Sequence, residues 1–450
     1  MADTPNTLQG QSTINCRMMV VDESGQWVPL KTKEDGLNMN VPPISDGDKG
    51  DITVSDEGTV WTIDNDAITT AKIADDAVTG AKIADNTITN ANLQQNVIEF
   101  NNLTTAATNA LFRKNLLINP EFAIAQRLPT GSAAVTDNTY YIDRWRNLTN
   151  GANTSNVSRI ASGAIHSAQI DPSRQILSVT VGSSANQKFG VFQVLESYDV
   201  WHTKNAQLTF SAYLRVGSSN LSDIRMAIVE FQGTENATTG DPISSWNSAG
   251  TNPSLAAGWV YLNTPVSLSL AVATWTRCTV TGTPSGSMVN LGVLIWSDST
   301  SNSTGDSLII SSVQLEQSAS VTKFERRHIQ QELALCQRYY EKSFNVDVTP
   351  VQNSGTSVGA LGYRIQIGST TAGWLQSCQF KEKKRTTPSI TYYNPNAANT
   401  NWRNVSKPAD SGASATQNLG ETGFSCNNAQ VAGDLVQESC AIHWSADAEL

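Results

Sequence analysis

The stretch AITTAKIADD at Ala67–Asp76, AVTGAKIADN at Ala77–Asn86 and TITNANLQQN at Thr87–Asn96 repeats in tens. Around and within it an apolar residue stands at every fifth position: Ile63, Ile68, Ile73, Val78, Ile83, Ile88, Leu93 and Ile98. A period of five matches neither the helix nor the strand, so no single regular element gathers these side chains on one face. Each unit offers one large apolar group and a small alanine against several polar residues. That is too little burial to offset about 1–2 kcal/mol of backbone ordering per residue. The missing surface is expected from other copies of the chain, wound about one axis with the fifth-position residues inward. A disordered linker is the alternative, but such tracts are usually poorer in Ile and Val.

The remaining composition points to β structure. The chain has 450 residues, enough for two or three domains with real cores, and is 39% hydrophobic but only 16% charged. Ser, Thr, Asn and Gly are plentiful, which favours short strands and polar loops. The net charge of −10, with no dense basic patch, argues against nucleic acid as a partner. The start MADTPNTLQG lacks the basic and apolar regions of a signal peptide, and no apolar run is long enough to span a membrane, so no membrane insertion is expected. The six cysteines show no zinc spacing. Buried thiols are the default, although Cys426 and Cys440 could bridge neighbouring strands.

Taken in order, residues 1–44 read as a small strand-rich head and 45–98 as the period-five stalk. Asp46, Asp48 and Glu57 occupy three places of a calcium-loop pattern, but Asp51 stands where that loop needs Gly, and a polar turn is the better account. Residues 99–114 carry Leu103, Ala107, Ala110 and Leu111 at helical spacing, which predicts a short, Ala-rich trimerising helix. From 115 to 326, alternating runs such as Gln175–Val181, Phe189–Leu195, Asn290–Trp296 and Ser307–Leu315 predict a two-sheet sandwich, a jelly roll. Two polar insertions interrupt it, Gly233–Gly258 with Trp246 and Ser297–Ser307 after Trp296. His328–Phe344 is the strongest helix signal, a connector over 327–345 that serves as a seam between chains or packs on its own domains. Residues 346–450 return to strands as a C-terminal β tip. Its basic cluster Lys381, Lys383, Lys384 and Arg385 reads as a solvated edge that could meet an acidic polysaccharide. The fold class expected is mainly β: intertwined stalk, β-sandwich, connector helix and C-terminal β domain.

Four separated motifs carry a resemblance: DGDKGDITVSDEGTVWTID (46–64), the AKIAD decads, KNLLINPEFAIAQR (114–127) with YYIDRWR (140–146), and VQLEQSASVTKFERRHIQQELALCQRYYEKS (313–343). The chain resembles bacteriophage tail-fibre proteins, in which the last two motifs commonly bracket a carbohydrate-binding-like jelly roll; the closing HWSADAEL is similar to the end of a fibre tip. The resemblance spans about Ser45 to Leu450. It implies a homotrimer located in the virion, docked on other phage proteins by its N-terminus and facing a host-cell receptor with its C-terminus. Residues 1–44 match no attachment domain, and similar modules serve in head fibres.

Catalysis is not expected. The four histidines stand far apart with no nucleophile-elbow motif, and no phosphate-cradling loop occurs. The carboxylate pairs Glu316 with Glu325 and Asp241 with Glu235 are candidates for a glycan depolymerase but read more simply as structural. No metal or cofactor is expected. Sugar binding needs only an exposed ring that stacks on a pyranose beside groups that fix its hydroxyls. The candidates are Trp246, and Tyr392, Tyr393, Asn401 and Trp402 in the Asn-rich segment YYNPNAANTNWRN. The function read from the sequence is a non-enzymatic fibre that binds a host surface glycan. Its rivals are a depolymerase spike and a purely structural fibre.

Overall fold

The computed structural model describes residues 19–21, 23–29, 44–84, 87, 115–127, 132–150, 155–161, 175–182, 186–238, 240–365, 373–429, 431 and 434–450. Two compact units emerge, Met1–Val97 and Ile98–Leu450.

In the first unit β1 (Met19–Val21) pairs with β2 (Trp27–Pro29), and β3 (Gly47–Asp48), β4 (Ile52–Ser55) and β5 (Val60–Ile63) form a three-stranded sheet. Asp46 accepts the amides of Glu57 and Gly58 at 3.3 and 3.2 Å, so the acidic run closes a turn, as its missing glycine predicts. The decads then fold alike. Each follows an aspartate in the left-handed region (Asp66, φ 63°; Asp76, φ 61°) and has an extended threonine (Thr69, Thr79) and one 3-10 turn (Thr70–Lys72, Gly80–Lys82). In each, a lysine Nζ reaches back to the carbonyl of Ala67 or Ala77, at 2.7 and 2.6 Å. The sequence period of ten is thus also a backbone period. Ile63, Ile68, Ile73, Val78 and Ile83 remain between 39% and 57% exposed. Ile88, Leu93, Ile98, the helix expected over 99–114 and most of the head 1–44 lie outside the described residues.

The second unit opens with the strands β6 (Ser132–Val135), β7 (Thr139–Ile142), β8 (Trp145–Thr149), β9 (Ser155–Ala161), β10 (Gln175–Val181), β11 (Phe189–Leu195), β12 (Leu208–Val216), β13 (Ile224–Phe231), β14 (Ile243–Ser245), β15 (Ser254–Leu255), β16 (Trp259–Tyr261), β17 (Thr276–Gly282), β18 (Asn290–Ser297) and β19 (Ser307–Glu316). They build two antiparallel six-stranded sheets, ordered β17-β12-β19-β10-β9-β6 and β16-β13-β18-β11-β8-β7, with β14 and β15 as a separate hairpin. This is the jelly-roll sandwich expected. Val179, Leu214 and Leu308 of one sheet meet Val191, Ile228, Val293 and Ile295 of the other in one buried cluster. The alternate residues Phe192, Val229, Leu294 and Trp296 point the other way, as strand geometry requires. There they form a second cluster with Ile243, Cys336, Tyr339 and Leu450. A sheet covered on both faces leaves β11, β13 and β18 buried at every position, Gln193, Arg225 and Glu230 included.

The C-terminal part holds β20 (Tyr340–Lys342), β21 (Leu361–Arg364), β22 (Gly373–Gln379), β23 (Ser389–Tyr393), β24 (Asn401–Asn404), β25 (Ala409–Gln417), β26 (Gly423–Ala429) and β27 (Ser439–Asp447). β27 pairs with β20, β21, β23 and β24 and so organises the whole tip. The connector differs from expectation. The helix spans Ile329–Gln337, and Tyr340 belongs to β20 because its pairing with Asp447 outweighs helical periodicity. The helix buries Glu332, Cys336 and Gln337 and leaves Ile329 exposed, so it packs on its own domain. Cys426 and Cys440 are both free thiols and form no bridge.

The two long motifs that flank the sandwich in sequence meet in space. The Glu332 carboxylate accepts the Asn119 amide at 2.5 Å, Arg327 donates to the Leu117 carbonyl at 2.7 Å, and the Gln126 amide donates to the Tyr340 carbonyl at 2.8 Å. Arg127 lies over the Tyr340 ring at 3.9 Å and pairs with Asp447 at 3.0 Å. Arg144 lies over Tyr339 at 3.5 Å and pairs with Glu449, while Arg146 donates to the Leu450 carbonyl. Sandwich and tip are therefore joined through a buried, charged hub.

Candidate functional site

The Gly233–Gly258 insertion turns one end of the sandwich into a cleft. Its apolar residue Ile243 joins the outer cluster of the second sheet, and β14 and β15 close it into a hairpin. Its far end is held by a buried cation. Lys188 donates to the Asn247 carbonyl at 2.7 Å and to Asp298 at 2.5 Å, and Asp298 in turn accepts the Gly250 amide at 2.7 Å. Arg225 adds a bond to Asn252 at 2.6 Å. Trp246 sits between these anchors, half-buried, on a segment whose backbone is fixed before any ligand arrives.

Between this hairpin and the β6–β7 turn with the end of β8 lies a cavity of about 380 Å³ lined by Asp137, Thr149, Asn150, Asp241, Ile243, Ser244, Ser245 and Trp246. That is at the small end of the range of about 300–1,000 Å³ usual for small-ligand sites. Each carboxylate is aimed by a backbone amide: Thr149 N–H on Asp137 at 2.7 Å and Ile243 N–H on Asp241 at 2.8 Å. Burial pushes the Asp241 carboxyl up to about 6; the charge of Asp137 adds to the rise and the Ile243 amide and Arg146 oppose it. Burial also raises Asp137, against the amides of Thr149 and Asn138. An indole, two carboxylates, an amide and three hydroxyls in one cleft can stack on a sugar ring and accept from its hydroxyls.

The candidate residues read from the sequence separate here. Trp246 lines the cleft. Trp402 is corrected: it is 0% exposed, its Nε1 donates to the Asn427 carbonyl at 3.0 Å, and it belongs to the tip core. Tyr392 is likewise corrected, buried with its hydroxyl on Thr416 at 2.9 Å. Tyr393 packs edge-on against Phe344 and bonds Ser445 at 3.1 Å, and Asn401 is part of β24, its amide bonded to Asn399. The dense asparagines bind one another: Asn394 and Asn399 both donate to Asp410, at 2.9 and 2.7 Å. Of the carboxylate pairs, Glu316 accepts from Thr322 and Gln314, Glu325 accepts from the Asn115 amide, and Asp241 faces Asp137 instead of Glu235. Half of the basic cluster is turned inward, with Lys384 buried on Glu341 at 2.5 Å and Arg385 on the carbonyls of Ala448 and Glu449, while Lys381 and Lys383 are exposed as a solvated edge would have them.

Asp137, Thr149 and Asn150 escaped sequence reading because they lie about a hundred residues from Trp246 in a turn and at a strand end with no motif. A second aromatic pair also escaped it. Tyr198 and Trp201 are 90% and 59% exposed on the helical turn after β11, with Lys204 Nζ 3.4 Å over the Trp201 ring. The signal was SYDVWHT, two rings three positions apart.

Among the described residues no group of three or more His, Cys, Asp or Glu is placed to hold a metal, and no helix is long and apolar enough to cross a membrane. No family model and no curated protein matches the chain. Among solved structures, the chain is similar to the enzymatically active domain of bacteriophage CBA120 tailspike protein 4 (7% identity, TM-score 0.24, 38% of this chain and 19% of that one). It is also similar to a family 16 carbohydrate-binding module (12%, 0.22, 35% and 84%) and to the CBM22-1 xylan-binding domain of Paenibacillus barcinonensis (15%, 0.24, 43% and 99%).

Proposed function

We propose that this chain is the protomer of a homotrimeric phage virion fibre, attached to the particle by its N-terminal region, that binds a host surface glycan through the Trp246 cleft of its sandwich. The observation that carries the reading is the decad ladder. Ile68, Ile73, Val78 and Ile83 are exposed at one fixed spacing on a backbone that repeats with them, and Ile63 at the end of β5 keeps the same spacing. Isolated exposed apolar residues need no explanation, but a periodic row calls for a partner of the same period, and other copies of the chain supply it. Winding three chains together displays three clefts on one axis, which raises avidity by about 10²–10⁴ when each cleft binds weakly. The same motifs that give the resemblance to tail fibres bracket the sandwich and form its hub.

The test has two readouts on the full chain. Sedimentation is expected to give a trimer, and a glycan array is expected to show binding that Trp246→Ala removes. A monomer at micromolar concentration overturns the fibre reading; binding unaffected by Trp246→Ala overturns the cleft. One observation favours a second reading, a glycan depolymerase. Asp137 and Asp241 share a cleft, and a carboxyl raised to about 6 suits a general acid. Release of reducing ends from host polysaccharide, lost in Asp241→Asn, would decide for it.

A further inference from the structure

The charge of the cleft wall narrows what it can hold, an inference that rests on the cleft being a glycan site. Among the described residues its lining carries two carboxylates and no lysine, arginine or histidine. Two cations next to its walls have hydrogen-bond partners of their own. The guanidinium of Arg146, which lies beneath Gly240, donates to Asn138 and to the Leu450 carbonyl, and Lys188 is buried on Asp298 and the Asn247 carbonyl. Backbone amides aim both carboxylates, and an ionised carboxylate only accepts hydrogen bonds.

We propose that the cleft selects a non-acidic sugar unit, one that presents hydroxyl or amino donors to Asp137 and Asp241 while its apolar face lies on Trp246, and rejects sugars bearing carboxylate or sulfate. A neutral hexose replaces the water that solvates the two carboxylates with its own donors. A free amino group does so with charge in addition. A uronate brings a third negative charge within a few ångströms of two that already repel each other, and Arg146, the cation that acts on Asp241, lies beneath the wall with its guanidinium bonded to Asn138 and Leu450. The sequence hinted the opposite through its basic cluster, but Lys384 and Arg385 serve the hub and the tip. The selectivity also depends on pH. The charged groups that act on Asp241 are Asp137, which raises its carboxyl, and Arg146, which lowers it; with burial included it takes up its proton near pH 6. Acidification from pH 7.5 to 5 removes one of the two repelling charges, so the bias against acidic sugars narrows.

The experiment compares oligosaccharides of one linkage in pairs, uronic-acid oligomers against their carboxyl-reduced neutral counterparts, on an array at low salt with and without EDTA. The proteins are the full chain, Trp246→Ala and Asp137→Asn/Asp241→Asn, each checked for native unfolding behaviour. Expected is Trp246-dependent binding of neutral members at least about tenfold tighter than their acidic partners at pH 7.5, an interaction difference of about 1.4 kcal/mol. The bias should shrink at pH 5 and to within about twofold in the double variant. Trp246-dependent binding with equal or tighter binding of acidic members overturns the selectivity while leaving the glycan site standing. Loss of all binding in EDTA overturns it too, because the carboxylates would then hold a cation and not the sugar. If no glycan is bound through Trp246, the glycan reading of the cleft falls, and the selectivity with it.

Discussion

At the scale of single residues, two tryptophans that look alike in sequence have opposite surroundings, an open cleft for Trp246 and the tip core for Trp402. Trp246→Ala should leave stability within about 1 kcal/mol, since the ring is only half-buried, yet lower glycan binding about tenfold; Trp402→Ala should cost about 3–5 kcal/mol through the cavity it leaves. Urea unfolding and array binding on both variants separate the two effects. Asp241 also has a pH signature. Its folded carboxyl titrates near 6, above the 3.8 of an ordinary aspartate, so the native state binds the extra proton, and its contribution is full below about pH 4 and lost as pH rises through 6. Asp241→Asn should therefore be the more stable protein at pH 7.5, by about 1 kcal/mol once solvent screening is allowed for, with the gain gone by pH 4. His443 acts with the other sign. Burial lowers its pKa, against the bond to the Thr356 carbonyl, which favours the protonated ring; the ring stacks on Phe344 at 3.8 Å and meets the Ser343 hydroxyl at 2.9 Å. Below pH 6.5 the unfolded chain takes a proton that the native ring refuses. This part of the stability falls with acidification, and urea unfolding of wild type and Asp241→Asn over pH 7.5–4 reads both effects.

At the scale of elements, long apolar or alternating strands were legible, whereas β8, short but buried throughout, and strands held by polar pairing were not. β10 and β11 coincide with the alternating or apolar runs that announced them. β25, ADSGASATQ, has no large apolar residue and exists because β24 and β26 flank it. Trp402 was misread for a related reason: the asparagines around it suggested solvent, but they bond one another and Asp410 and fold the segment over the ring. The cleft was half legible, since its ring stands in a recognisable insertion while Asp137 becomes its neighbour only through the sheet. That insertion hangs on one buried ion pair. Lys188→Met leaves Asp298 fully buried with Arg225 at 3.7 Å as its remaining cation, and should cost about 3 kcal/mol by urea unfolding. It should also weaken glycan binding, because Trp246 loses its anchor at Asn247.

For the whole molecule, the proposed trimer rests on the decads and the joining of sandwich to tip on the hub. Ile73→Asp with Val78→Asp puts charge on the exposed row of the stalk; sedimentation should then give monomers, while the sandwich and tip keep their unfolding transition. Sandwich and tip should melt in that one transition, since Arg127, Arg144 and Arg146 of the first meet Asp447, Glu449 and Leu450 of the second. The same contacts set a clock for biosynthesis. Glu449 is added 305 residues after Arg144, which at about 5–20 residues per second is about 15–60 s of translation during which a guanidinium destined for burial has no counter-ion. The sandwich strands can be complete on the ribosome while their charged hub still stands open to water. Arrested nascent chains that stop before residue 447 should accordingly be cut by a protease pulse within the sandwich, whereas the released chain resists; maturation of the first domain waits on the last strand.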